Sequence, residues 1–282
     1  MVKILKSGMY TSIQDTGRVG FRNLGVPLSG AMDSVSAGFA NALLNNNKND
    51  AVLEITMLGP KLKFFEPTLI AISGAELSPR INNNSILNNK VYNIDKGDVL
   101  SFGKPIKGVR SYLAVKGGFQ TEIVLNSRSF YDGITSKNRL VENDFIPIIK
   151  GISNKIKTTG YLKNKNQFFE TSVLEVYKGP DFELFDKKEQ GLLFSDLTIG
   201  NNSNRMGFRL EEVVLKHSKS IITSPVLPGT VQLTPEGKLI VLMKDAQTTG
   251  GYPRVFQLTE KSIAILAQKL VGSTFNFKLI LN

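Results

Sequence analysis

The chain has 282 residues, 41% of them hydrophobic, which suits one large domain or two ordinary ones around packed cores. It contains no cysteine and a single histidine, which excludes disulfides, thiolate nucleophiles, Cys-ligated metals and any two-His metal site. Its net charge of +11 comes from lysines scattered through Asn-rich loops such as NNNKND and LKNKNQ, with no interleaved aromatics, so no nucleic-acid partner is expected.

In chain order, short apolar runs alternate with turn residues through the opening segment, and a helix is then predicted over DSVSAGFANALLNN. Asp33 or Ser34 would be its N-cap, with Val35, Phe39, Leu43 and several alanines on one face. Strands follow at VLEITML, KLKFF and TLIAIS, then a hairpin through INNNSILNNKVYNI, then VLSFG and VRSYLAVKGG. The polar stretch from Lys150 to Phe168 reads as a linker or crossing loop. Beyond it strands are predicted at VLEVYKG, VVLK, SIIT, GTVQLT, KLIVLMK and VFQL. A helix comes next at SIAILAQKL, capped by Thr259 and stopped by Gly272, and last a strand at STFNFKLIL that alternates Phe275, Phe277, Leu279 and Leu281. Short strands punctuated by Gly, Pro and Asn predict a mainly β chain, as an antiparallel sheet or barrel. LEITMLGP at Leu53 and LEVYKGP at Leu174 echo each other, as duplication or coincidence would produce. His217, alternating with Lys and apolar residues in VVLKHSKSII, reads as a structural histidine.

No run approaches the roughly 18 apolar residues that cross a bilayer, and MVKILKSGMYTS turns polar too early for a signal peptide. A cytoplasmic protein without a membrane partner is expected. Phosphate-loop, nucleophile-elbow and HExxH signatures are absent. Lys244 lies in MKDA, without A-M-K-M surroundings, so no biotin is expected on this chain.

Three blocks carry residues that folding alone does not demand. TSIQDTGRVGFRNLGVPLSGAMD packs Gln14, Asp15, Arg18 and Arg22 among glycines and ends at Ser29 and Asp33 before a helix. That is the composition of a ligand loop, or of turns with a capping Asp33 and an Asp15–Arg18 pair. SNRMGFRL offers Asn204 and Arg205. KDAQTTGGYP offers Gln247, Thr248, Thr249 and Tyr252, hydrogen-bonding groups suited to a small polar ligand, though such a loop is also an ordinary turn. Five of the nine arginines (Arg18, Arg22, Arg205, Arg209 and Arg254) fall in or beside these blocks, pointing either to an anionic ligand or to structural ion pairs.

The order QDTGRVG, GVPLSGAMD, LEITMLGP, GDVLSFG, YLAVKGG, SRS, SNRMGFRL, GTVQLTPEGKLIVLMKDAQTTGGYP resembles the family of allophanate hydrolase subunit 2, KipA and the 5-oxoprolinase C subunit over nearly the full chain. The chain departs from it at LNSRSF and TSKNR, where the family usually carries LGSRST and a Gly-rich loop. The resemblance implies a fold like biotin-dependent carboxyltransferase domains, with cyclophilin-like β-barrel units: two β-rich domains, residues 1–160 and 161–282, with a few short helices. It further implies one component of an ATP-dependent 5-oxoprolinase that works with two partner subunits, the KipI-like B and a separate A, with ATP and Mg²⁺ shared in the complex. Asp15 would position a proton or Mg²⁺, Arg18 and Arg205 would bind a carboxylate or phosphate, and Thr248 to Tyr252 would hold the ring. Gln14, Ser29, Asp33, Asn204 and Gln247 complete the expected substrate site. A KipA-like regulator that binds its partner without turnover, and a carboxyltransferase or allophanate-type subunit, are the alternatives.

Overall fold

The computed structural model describes residues 1–151 and 169–280. The linker expected between Lys150 and Phe168, and the domain boundary expected at 160/161, therefore lie almost wholly outside the described residues. The chain divides into two compact units, one of Met1–Arg18 with Ser29–Asn166 and one of Val19–Leu28 with Gln167–Asn282. The first Gly-rich block is thus shared: its ends belong to the first unit and its middle to the second, a division that its glycines did not announce.

The first unit contains β1 (Val2–Lys6), β2 (Tyr10–Gln14), α1 (Ser34–Leu43), β3 (Val52–Thr56), β4 (Lys61–Phe64), β5 (Thr68–Glu76), β6 (Arg80–Ile81), β7 (Asn84–Ser85), β8 (Val91–Ile94), β9 (Val99–Ser101), β10 (Lys107–Val115) and β11 (Phe145–Ile146). They form two antiparallel sheets, β11-β1-β4-β9-β6-β7 and β2-β3-β10-β5-β8. Alternation places Val2, Ile4, Leu62 and Phe64 of the first sheet and Ile13, Leu53, Ile55, Ile72 and Leu113 of the second in one shared core. Of the hairpin expected through INNNSILNNKVYNI, the first part forms β6–β7, turning at Asn82 and Asn83, both at positive φ, which suits the right-handed strand twist, whereas VYNI is β8 and pairs with β5.

Helix α1 covers the outer face of the second sheet. Asp33 is its N-cap, as expected, accepting from the Ser36 amide. Its buried face is Ser36, Ala37, Ala40 and Asn41, followed by Leu44, whereas Val35 is exposed. Of the expected face, the alanines Ala37 and Ala40 are buried and Leu43 packs half-buried against the same cluster, while Val35 faces out: small side chains go inward because the helix rides close to the sheet. A Cβ on Gly74 would stand 3.3 Å from the Ser36 Cβ and 2.6 Å from the Arg110 carbonyl oxygen.

The second unit contains β12 (Val173–Lys178), α2 (Lys187–Leu192), β13 (Leu197–Thr198), β14 (Gly207–Val213), β15 (Ser224–Pro225), β16 (Thr230–Leu233), β17 (Lys238–Leu242), β18 (Thr249–Gly250), β19 (Arg254–Leu258), α3 (Glu260–Leu266) and β20 (Thr274–Leu279). Seven strands run in the order β13-β20-β12-β19-β16-β17-β14. The Ile199–Leu210 bridge and the Gly200 amide bonded to the Arg209 carbonyl at 2.8 Å join β13 back to β14, so the sheet closes on itself as a barrel. All pairings are antiparallel except β12 with β20. Phe182, Phe194, Phe256, Phe275 and Phe277 stack through the interior at centroid distances of 5.2–5.5 Å. The mainly β, barrel-based class expected from the sequence is the fold observed.

Two local expectations change. Residues 214–223 form no strand; the chain there runs irregularly along the β16–β17 turn, with the Val214 amide on the Gly237 carbonyl and the His217 amide on that of Pro235. Helix α3 starts at Thr259 as expected but its C-cap is Ala267, well before Gly272. Helix α2 was not anticipated, although Asp186 and Glu189 form a reciprocal capping box that the D-x-x-E spacing carries. Leu281 of the final strand lies outside the described residues.

Candidate functional site

In the first unit the Gly-rich block folds around one carboxylate. Asp15 Oδ1 accepts from the Gly17 amide at 2.8 Å, Ser127 Oγ at 2.6 Å and Ser129 Oγ at 2.7 Å, and Oδ2 accepts from the Arg128 amide at 2.6 Å. Three donors thus fill Oδ1, while Oδ2 holds one and has about one further lone-pair site. Asp15 thereby ties the QDTG turn to SRS. Gly30 packs on the same turn at positive φ; a Cβ there would lie 3.1 Å from the Asp15 carbonyl oxygen and the Gly17 nitrogen. Arg18, fully buried, donates to the Ser129 carbonyl. Gln14, also fully buried, donates to Ser12 Oγ at 3.0 Å, and Ser29 is buried at positive φ.

Beneath the start of α1 lies a row of paired residues, Ser12, Glu54, Tyr112 and Ser73, on β2, β3, β10 and β5. The Tyr112 hydroxyl donates to Glu54 Oε2 at 2.9 Å and accepts from the Asp33 amide at 2.8 Å, while Glu54 Oε2 also accepts from the Met32 amide at 2.8 Å. Burial, then the charges of Glu54 and Asp33, push the Tyr112 phenol well above its ordinary value. Asp33 spends Oδ1 and Oδ2 on the Ser36 amide and hydroxyl. Of the expected site, Asp15, Arg18 and Asp33 fasten loops, whereas Gln14 Oε1 and Ser29 Oγ are buried without a hydrogen-bond partner among the described residues.

The second unit holds a cleft of about 720 Å³. Its floor is the outer face of β14, β17 and β16, where Arg209 pairs with Ile240 and Ile240 with Gln232. Asn204, Gln247 and Tyr252 of the expected set line it, as do Arg209, Lys238 and Glu211. Gln232 is buried and donates Nε2 to the Tyr252 carbonyl at 3.2 Å; a Cβ on Gly250 would come 2.4 Å from that nitrogen, so the Gly pair lets the loop lie on Gln232.

Around the cleft the arginines brace loops. Arg205, expected to act on substrate, makes a two-pronged bond with Asp245, Nε to Oδ2 at 2.7 Å and Nη2 to Oδ1 at 3.1 Å. Arg22 donates to the Val226 carbonyl and to that of Thr248 at 3.2 Å, and burial lowers its pKa. Arg254 grips Asp181 at 2.7 Å; burial alone would raise that carboxyl, but the bonds and charge from Arg254 hold it below its usual range. Thr249 pairs with Pro225 across β15–β18, and the Thr248 carbonyl takes the Arg22 bond, so both shape the loop. Of the four arginines in this unit, Arg209 has a side chain without a hydrogen bond or ion pair to a described residue. His217 accepts from the Lys219 amide at Nδ1, 3.1 Å, and meets the Leu233 carbonyl at Nε2, 3.3 Å, a structural imidazole protonated at Nε2.

The family model for the carboxyltransferase domain, subdomains A and B, matches residues 24–279. The chain belongs to this carboxyltransferase-domain family. Within it, the chain is 35% identical to the 5-oxoprolinase C subunit of Escherichia coli, over 98% of this chain and 90% of that protein. It is 29% identical to the 5-oxoprolinase C subunit of Haemophilus influenzae, over 99% of this chain and 91% of that protein. The crystal structure of the Kluyveromyces lactis urea amidolyase superposes on 98% of this chain and 18% of its own length, with a TM-score of 0.83 and 26% identity. The family thus includes proteins named as one subunit of a larger enzyme and a segment of a long multidomain one. Among the described residues no helix is long and apolar enough to cross a membrane.

Sequence reasoning set Arg209 among the arginines pointing to an anionic ligand or to ion pairs but gave it no place in the site, and it missed Gln232. Period-two alternation carried the signal: Phe208 and Leu210, and Val231 and Leu233, point into the barrel, which sends Arg209 and Gln232 to the outer face.

Proposed function

We infer that this chain is the C subunit of a heteromeric, ATP-dependent 5-oxoprolinase that opens 5-oxo-L-proline to L-glutamate in the cytoplasm. The observation that carries the reading is 35% identity to a protein of that name along nearly the whole of both chains. The substrate is a small ring bearing a carboxylate and an amide, and the second-unit cleft combines a guanidinium, amide side chains and a tyrosine around an apolar floor. In this reading Asn204, Gln247 and Tyr252 contact the ring. Arg205, Thr248 and Thr249 are positioning residues beside the cleft, while Gln14, Asp15, Arg18, Ser29 and Asp33 belong to the loops of the first unit.

A lactam is a stabilised amide, so coupling its hydrolysis to ATP supplies the driving force: one water opens the ring and a second is consumed in converting ATP to ADP and phosphate. The described residues contain no group of three or more His, Asp or Glu that could hold a metal, but Mg²⁺ is bound through one or two carboxylates together with nucleotide phosphates. In this reading the nucleotide with its cation is shared in the assembled complex with the KipI-like B and the A partner subunits.

The test is glutamate release from 5-oxo-L-proline, ATP and Mg²⁺ by this chain alone, with the B partner, and with both partners. Turnover is expected only in the complete mixture. Tight binding of the B partner without turnover in any mixture would sink the reading and leave a KipA-like regulator. The amidolyase likeness favours a second reading, a carboxyltransferase-type subunit served by a biotin carrier on another chain; carboxyl transfer to urea by the same mixture would support it.

A further inference from the structure

The geometry points to Arg209 as the carboxylate anchor of the second-unit cleft, with Ile240 as the seat of a small ring and Gln232 as the partner of its amide; this deepens the substrate reading above. The three residues stand in one row across β14, β17 and β16. Neighbouring strands are about 4.8 Å apart, so Arg209 and Gln232 are rooted about 10 Å from each other with an apolar side chain between. A ring carrying a carboxylate on one side and an amide on the other bridges such a row. One end presents an exposed guanidinium with no protein partner among the described residues. The other presents a buried Gln whose Nε2 is oriented by the Tyr252 carbonyl and whose place is kept by the absence of a side chain on Gly250. An exposed guanidinium beside a pre-oriented amide is suited to an anionic amide ligand. The other arginines of the unit cannot serve, because Arg205, Arg254 and Arg22 are bonded to Asp245, Asp181 and backbone carbonyls.

The experiment is a titration of the isotopically labelled full chain, followed by amide chemical shifts, with 5-oxo-L-proline and with 2-pyrrolidinone, the same ring without a carboxylate. Saturable shifts confined to the cleft are expected for 5-oxo-L-proline. 2-Pyrrolidinone binding the native chain, and Arg209→Gln binding 5-oxo-L-proline, should both be about 10- to 100-fold weaker, as expected for a lost charged hydrogen bond. Arg209→Lys should fall between, and Lys96→Gln, the same charge change on an exposed site in the first unit, should leave affinity unchanged. Native affinity in Arg209→Gln, equal binding of the two ligands, shifts outside the cleft, or no saturable binding by the full chain would each overturn the assignment. Arg209-dependent binding without glutamate release from the complete mixture would retire the oxoprolinase reading and keep the anchor. Glutamate release with an unchanged KM in Arg209→Gln would do the reverse.

Discussion

Arg205 and Asp15 show how one residue type serves two ends. A guanidinium beside a glycine loop suits an anion equally well whether that anion is a ligand or a neighbouring aspartate, and only the fold brings Asp245 to 2.7 Å from Arg205 Nε. Both side chains of this pair are about nine-tenths buried, so removing one partner strands a charge. Arg205→Ala is expected to lower unfolding free energy by roughly 3–5 kcal/mol, with the Arg205→Leu, Asp245→Leu double variant much less affected. Urea denaturation of the three proteins measures this; an Arg205→Ala variant as stable as the native chain but with a raised KM would return Arg205 to the substrate.

At the scale of elements, the two-stranded sheet β15–β18 and the row Arg209, Ile240, Gln232 meet through Gly250. Its backbone is not in the left-handed region, so alanine is tolerated conformationally, but the new Cβ would fall on Gln232 Nε2 at 2.4 Å. Gln232 is long and can swing away at the cost of its bond to Tyr252. Gly250→Ala is therefore expected to cost about 1 kcal/mol in stability while weakening 5-oxo-L-proline binding by more than that loss alone predicts. Parallel thermal melts and shift titrations check it, and unchanged ligand affinity would exclude Gln232 from the site. In the first unit the same logic is structural: Gly74 lets α1 and β10 approach, and Asp33 and Tyr112 lock the helix start to Glu54.

For the whole molecule, ion pairs set the acid limit. Asp181 and Glu212 are each raised by burial but lowered further by their hydrogen bonds, from Arg254 and from Thr198, so both folded carboxyls titrate below the unfolded ones. The unfolded chain then binds more protons as pH falls, and the stability these groups contribute is present above the ordinary carboxylate range and lost as pH drops through the folded values. Asp181→Asn is expected to lose roughly 1.5–3 kcal/mol at pH 7, the scale of a charged hydrogen bond, and the gap from the native chain should close toward pH 3. Denaturation midpoints from pH 7 downward test it; a gap that does not narrow as pH falls through and below the ordinary carboxylate range would mean the pair is not the source.

Much of the architecture was legible beforehand because it rests on local chemistry. Short apolar runs bounded by Gly, Pro and Asn marked β3, β5, β10 and β16, period-two alternation marked β20, the capping residues Asp33 and Thr259 marked two helix starts, and the order of Gly-rich blocks pointed to the carboxyltransferase-domain family. The buried face of α1 was misread at Val35 because helical spacing favours large apolar residues, whereas the close approach at Gly74 selects small ones. The division of the chain at Val19–Leu28, the closure of β13 onto β14 and the partners of each arginine involve residues up to 226 positions apart. Such pairings leave no trace in spacing or composition. By itself the sequence determined the β-rich class and the family; the tertiary structure decided which arginines are bonded within the fold and placed Arg209, with Lys238 and Glu211, on a cleft. The physical reason is that strands and caps answer to neighbours along the chain, while a side chain's electrostatic partner is set by whatever folding carries within about 3 Å of it.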